Sequence, residues 1–161
     1  MNIINAEIHT ATNGIISSGF VEFEQGLITK IGEMKDYHGQ SDAVDAKGAL
    51  LLPGFIDAHC HLGMWEDGLG FEGDDGNEDT DPVTPHLQAV DAINPLDHCF
   101  EEAARNGITT VVTGPGSANP IGGQMAAIKT YGKRIDDMLL QAPVAIKMAL
   151  GENPKGCYHG K

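Results

Sequence analysis

Apolar and polar positions along the first 53 residues alternate with a period of two. In "GFVEFEQGLITKIG" (19–32), Phe20, Val21 and Phe23 stand against Glu22 and Glu24. Gln25-Gly26 then turns the chain into a second alternating run. Two such runs around a short polar-Gly pair predict a β-hairpin. "NIINAEIHT" before it and "AVDAKGALLLP" after it fit further strands, so the segment reads as a small antiparallel β unit.

The texture changes at Pro53-Gly54. "GFIDAH" predicts a short buried strand. "NPLDHCFEEAARNG" (94–107) predicts a helix: Asn94 can cap it, Pro95 suits its first turn, and Asp97 and Glu101 lie near its positive end. Leu96, Phe100, Ala103 and Ala104 form its apolar stripe and Gly107 closes it. "ITTVVTG" is β-branched and apolar, a strand buried on both faces. A Gly/Pro/Ser loop, "GPGSANPIGG", leads to a predicted second helix, "QMAAIKTYG". "KRIDDMLLQ" is helical or irregular, and "APVAIKMALG" predicts a third strand. Strand, helix, strand, helix, strand is the repeat of a parallel α/β fold. No GxGxxG follows the first strand, which disfavours a dinucleotide site.

Charge and composition narrow the function classes. A net charge of −13 argues against nucleic acid, whose phosphates need clustered Lys and Arg. No apolar run reaches membrane-spanning length, and "MNIINAEIHT" lacks the basic start and apolar stretch of a signal peptide, so a cytoplasmic protein is expected. Cys60, Cys99 and Cys157 are odd in number and widely spaced, which fits neither a disulfide framework nor a CxxC zinc site. Residues 65–85 hold eight carboxylates and no Lys or Arg, the composition of a solvated surface loop. A calcium loop aligned from Asp75 fails, with Thr80 at its glycine position and His86 at its closing acid.

The chemistry concentrates in "LLPGFIDAHCHLG" (51–63). Residues two apart in a strand share a face, so Asp57, His59 and His61 project together. Many His-x-His pairs are structural or merely exposed. At the C-terminal end of a buried parallel strand, however, two imidazoles can hold one metal ion, and imidazole suits zinc, iron and nickel. Cys60 points the other way, as a small buried thiol rather than a third ligand.

This stretch resembles the PGxIDxHxH signature of the amidohydrolase superfamily. "VEFEQGLITKIG" and "DAKGALLLPG" resemble the N-terminal half of that superfamily's β-sandwich. The helix and "NGITTVVTGPGS" resemble its first barrel helix and second barrel strand. The likeness covers nearly the whole chain and is closest to the imidazolonepropionase-related group. It implies an α/β fold: a small N-terminal β-sandwich part over 1–53, then over 54–161 the first three β/α units of an incomplete TIM-type (β/α)8 barrel. It implies a divalent metal, zinc first with iron or manganese as alternatives, held by His59 and His61, with Asp57 in support. The implied reaction is hydrolysis of a non-peptide C–N bond (amide, cyclic amide or amidine) in a small-molecule substrate by a metal-activated water.

A full barrel takes about 250 residues, and 108 follow Pro53. The ligands that the family draws from later strands have no counterpart here. The chain is therefore expected to be an N-terminal fragment, a truncated frame or one piece of a split protein, inactive by itself. Within it, Lys147 could bridge a metal as a carbamate or form an internal ion pair. Glu152 could be a ligand or a solvated loop acid. Ser117 and the backbone of "GPGSANPIGG" could meet substrate or only connect elements. His86, His98 and His159 lack a partner at useful spacing. The other reading is a non-catalytic metal-binding or interaction module. Its open barrel edge would pair with a second copy or with a complementing C-terminal chain.

Overall fold

The computed structural model describes residues 1–39, 42–66 and 69–160. The chain forms two compact units, Met1–Pro53 and Gly54–Lys161. No helix among the described residues is long and apolar enough to cross a membrane.

In the first unit, β1 (Asn2–His9), β2 (Ile15–Glu24) and β3 (Leu27–Glu33) form an antiparallel sheet. The hairpin sits where the alternation puts it. Glu24 pairs with Leu27, and both turn residues have positive φ (Gln25 50°, Gly26 79°), the backbone of a type I′ turn. Val21, Ala6 and Ile8 bury one face of the sheet. Phe20 buries the other, against the Tyr37 ring at 5.0 Å.

The purely antiparallel expectation fails at the other edge. The two short strands β4 (Val44–Asp45) and β5 (Leu50–Leu51) both pair with β1 in parallel. They act as one strand interrupted by a bulge. Lys47 and Gly48 take positive φ, and Gly48 N–H donates to Asn5 O at 2.7 Å before the chain rejoins the ladder.

The second unit holds a four-stranded sheet in the order β6 (Phe55–Cys60), β7 (Ile108–Thr113), β8 (Ile121–Lys129), β9 (Leu139–Met148). β6 and β7 are parallel; β8 runs antiparallel to both neighbours, so β6, β7 and β9 share a direction. The helix α1 (His98–Arg105) joins β6 to β7 and packs Phe100 into a core with Met64, Ile93, Val111, Ile128 and Met138. Two short helices, α2 (Ile135–Met138) and α3 (Glu152–Cys157), flank β9.

Two expectations are corrected here. "QMAAIKTYG" is not a helix but most of β8. Its local helix preference is overridden because β8 is hydrogen-bonded on both sides and nearly buried, from Gly122 to Ile128. Gly123 also leaves no room for a side chain: a Cβ there would lie 2.8 Å from Leu87 O. The second crossover is thus a strand, and the unit is a mixed sheet rather than a run of β/α repeats. The helix cap is Asp97, not Asn94. Its carboxylate accepts from Cys99 N–H at 3.1 Å, and Asn94 instead caps the preceding turn through Leu96 N–H.

Candidate metal centre

β6 ends at Cys60, and the chain leaves it through His61 and a turn at Gly63. Gly63 has φ +82°, and a Cβ there would meet Ile93 and Phe100 at 2.9 Å. The turn therefore packs directly on the core, which fixes where the histidines stand.

The His59 and His61 rings lie 5.3 Å apart, centroid to centroid, in an edge-on arrangement. His61 Nδ1 meets Gly114 O, at the end of β7, at 2.7 Å. A carbonyl only accepts, so Nδ1 carries the proton and Nε2 keeps its lone pair. The Trp65 indole braces the other side of the His61 ring, edge-on at 5.0 Å. Asp57 points its carboxylate at the backbone, accepting from His59 N–H at 3.0 Å, and so stiffens the strand end.

The third member comes from β9. Lys147 Nζ donates to His59 Nε2 at 2.9 Å, across the two intervening strands. Lys147 is the one buried residue of β9, at 9% exposure, whereas Val144, Ile146 and Met148 on the opposite parity are exposed. Burial pulls its ammonium below the usual lysine range. His59, His61 and Lys147 thus form one nitrogen cluster on one face of the sheet. Nothing in local spacing announces it, since 88 residues separate His59 from Lys147. The parity of the strand is the one signal, and it put Lys147 inward.

Other candidates stand elsewhere. Glu152 opens α3 and pairs with Lys155 at 2.9 Å, largely exposed. Cys60 packs its half-buried side chain against the core, and burial pushes its thiol up. The loop after β7 does not offer free backbone donors throughout. Gly116 N–H is taken by Gly76 O at 2.7 Å and Ala118 N–H by Asn77 Oδ1 at 3.2 Å. Ser117 lines a shallow recess with Asn77 and Glu152.

The acidic segment is more ordered than a solvated loop. Asp67 and Gly68 lie outside the described residues. The rest runs beside the first part of β8, before its pairing with β7 begins, through Val83 beside Ile121 and Gln88 beside Gln124. The buried Asn119 amide holds it by donating to Asp81 O at 2.9 Å, and the Tyr158 hydroxyl donates to Glu78 O at 2.9 Å. A cavity of about 250 Å³ opens between this segment and the strand ends, lined by Asp75, Asn77, Asp91, Asn119 and others.

Sequence reasoning missed one cluster. Asp97, His98 and Cys99 are adjacent, and one donor atom from each lies within 4.8 Å of the others. The signal was three consecutive ligand-type residues at a helix start, read there separately: Asp97 as an acid at the positive helix end, His98 as lacking a partner, Cys99 as a widely spaced thiol.

No family model matches the chain. Among curated proteins it is 37% identical over 152 residues to Amidohydrolase tasK of Hapsidospora irregularis, covering 85% of this chain and 15% of that one. It is 43% identical over 49 residues to imidazolonepropionase of Phocaeicola vulgatus, covering 29% and 12%. Among solved structures it is similar to an amidohydrolase from Thermotoga maritima, with TM-score 0.90 and 42% identity, over 98% of this chain and 41% of that one. The chain spans less than half the length of each of these relatives.

Proposed function

Because the chain belongs to the amidohydrolase superfamily and fits an N-terminal portion of it, we propose that it supplies the first part of a divalent-metal centre. The enzyme it serves hydrolyses an amide, cyclic amide or amidine C–N bond in a small molecule. The observation that carries this is the meeting of His59, His61 and Lys147. His61 offers Nε2 because Gly114 O holds its other nitrogen, the outer hydrogen bond that metal-ligating histidines use. His59 offers the nitrogen that now accepts from Lys147. An all-nitrogen pair of this kind fits zinc first, with iron or manganese as alternatives.

Lys147 cannot ligate as an ammonium. Burial lowers its pKa, so its ammonium gives up a proton more readily than a solvated lysine does. The ammonium would lose one proton, and the resulting amine would add to carbon dioxide, forming an N–C bond and losing a second proton, to leave a carbamate with two oxygen donors. A bound metal ion would supply Lewis-acid polarisation of a substrate carbonyl and activation of water. The chain's own residues do the rest: Gly114 O and Trp65 hold the His61 ring, and Asp57 fixes the backbone of His59.

In this reading β6, β7 and β9 are strands of an incomplete (β/α)8 barrel, and residues 1–53 are part of a composite β-sandwich. The exposed apolar residues of the outer strands, Ile56 at 69%, Ile146 at 50% and Met148 at 58%, support a further layer covering them. Continuing sequence, a second copy or a complementing chain would supply it. Cysteines that are not joined in disulfides, Cys60, Cys99 and Cys157, suit a reducing cytoplasm. Those bare edges also favour a second reading, a non-catalytic module that pairs with another polypeptide.

The test is release of ammonia or amine from a panel of N-acyl amino acids, cyclic amides and amidines. It is run on the chain and on the chain extended by its downstream coding sequence. We expect no turnover by the chain, and chelator-sensitive turnover by the extended protein that His59→Ala abolishes. Turnover that survives both chelation and His59→Ala overturns the proposal. An extended protein without any turnover supports the pairing module.

A further inference from the structure

The start of α1 carries a carboxylate in an unusual state. The Asp97 side chain is 1% exposed, yet its Oδ2 has no hydrogen-bond partner among the described residues. Its Oδ1 is used by Cys99 N–H at 3.1 Å and faces His98 Nδ1 at 3.5 Å. Capping explains Oδ1 but leaves Oδ2 unexplained, because a buried anionic oxygen is stable only with a donor or a cation against it. Among the described residues the ion pair recorded for Asp97 is the one with His98, whose imidazole is 55% exposed and free to turn.

We propose that Asp97, His98 and Cys99 form a second site, for a borderline or soft divalent cation such as zinc, on α1 rather than at the strand ends. A carboxylate oxygen, an imidazole nitrogen and a thiolate are the three donor types that zinc takes. Tetrahedral zinc bonds place donors about 3.5 Å apart. The present separations, within 4.8 Å, close by a rotation of the exposed His98 ring and a small shift of the thiol. The positive end of α1 disfavours a cation, but it favours the ionised carboxylate and thiolate that would bind one. Asp97 and Cys99 line one open recess, and Asp97 and His98 line a neighbouring one, so solvent reaches the cluster from both sides.

Cobalt(II) is the probe, because a cobalt–thiolate bond gives a near-ultraviolet charge-transfer band that a centre made of His59, His61 and Lys147 cannot give. The protein is titrated under reducing conditions as wild type, His59→Ala/His61→Ala, Cys99→Ser and Asp97→Asn. Asparagine caps a helix as well as aspartate does, so Asp97→Asn keeps α1. We expect the band to saturate at one equivalent in the double histidine variant, and to form in wild type, where the His59, His61 and Lys147 centre takes a second equivalent without adding to the band. It should vanish in Cys99→Ser. In Asp97→Asn it should need at least tenfold more cobalt, with unchanged helical circular dichroism. Absence of the band in folded wild type overturns the proposal. So does a band that persists in Cys99→Ser, or an unchanged half-saturation in Asp97→Asn.

Discussion

Lys147→Met separates a functional residue from a stabilising one, because the structure predicts opposite signs for the two properties. Lys147 is 9% exposed, and its hydrogen bond in this structure is to a neutral acceptor, His59 Nε2, at 2.9 Å. Methionine keeps the length and most of the packing. The substitution deletes a charge-assisted hydrogen bond, about 1.5–3 kcal/mol. It also removes the desolvation of an ammonium, which is several kcal/mol even after relaxation. The metal-free variant should therefore be more stable by about 1–2 kcal/mol. With a urea m-value of about 2 kcal/mol/M, the midpoint rises by roughly 0.5–1 M.

Trp65, the single tryptophan, stacks edge-on against His61 and reports unfolding of this unit by fluorescence. The folded-state pKa of Lys147 is lowered by burial, so the folded protein sheds this proton before the unfolded one does. Wild-type stability should then rise with pH, from the folded pKa up to the unfolded lysine value of about 10.4. The methionine variant should lack that rise. Zinc affinity should move the other way and fall at least 100-fold, about 2.7 kcal/mol. A variant destabilised by more than about 1 kcal/mol, with zinc affinity unchanged, would refute both the buried-amine and the ligand assignments.

Other substitutions test how the site is held. Gly63→Ala forces a left-handed φ on a residue with a Cβ and drives it against Ile93 and Phe100. It should cost about 2–4 kcal/mol, read as a lower urea midpoint by Trp65 fluorescence. Thr113→Val removes the hydroxyl that donates to Leu62 O at 2.9 Å in a fully buried position. It should cost about 1–2 kcal/mol, with a larger loss in amide-exchange protection around Leu62 than around β2.

How much of this the sequence carried depends on the range of the interaction that decides each element. The β2–β3 hairpin was legible because Gln25-Gly26 and the alternation on either side of it are local. That β6, α1 and β7 exist was legible from apolar residues and from Gly107, whose φ of +84° ends α1, but β6 is not the buried strand expected, since Phe55–His59 are exposed. β8 was not. Residues 124–129 favour a helix locally, and pairing with β7 and β9 reverses the choice. The parallel pairing of β4 and β5 was hidden for the same reason, since it depends on where the chain returns after β3. At the site, His59 and His61 could be paired by strand parity, but the contact with Lys147 is set by sheet order alone. Asp97 and Asn94 are both good caps, and local sequence does not choose between them; in the fold Asp97 takes Cys99 N–H while Phe100 packs into the core.

The central claim is that His59, His61 and Lys147 make one metal centre. The most direct measurement is the zinc content and affinity of the purified protein in the Cys99→Ser background, which removes the thiolate site. Wild-type residues at the centre are compared there with His59→Ala/His61→Ala and with Lys147→Met. One equivalent of zinc that disappears with the histidines, and weakens at least 100-fold without Lys147, is the predicted result. Zinc that binds equally well without the two histidines, or a folded protein that takes up none, would contradict it.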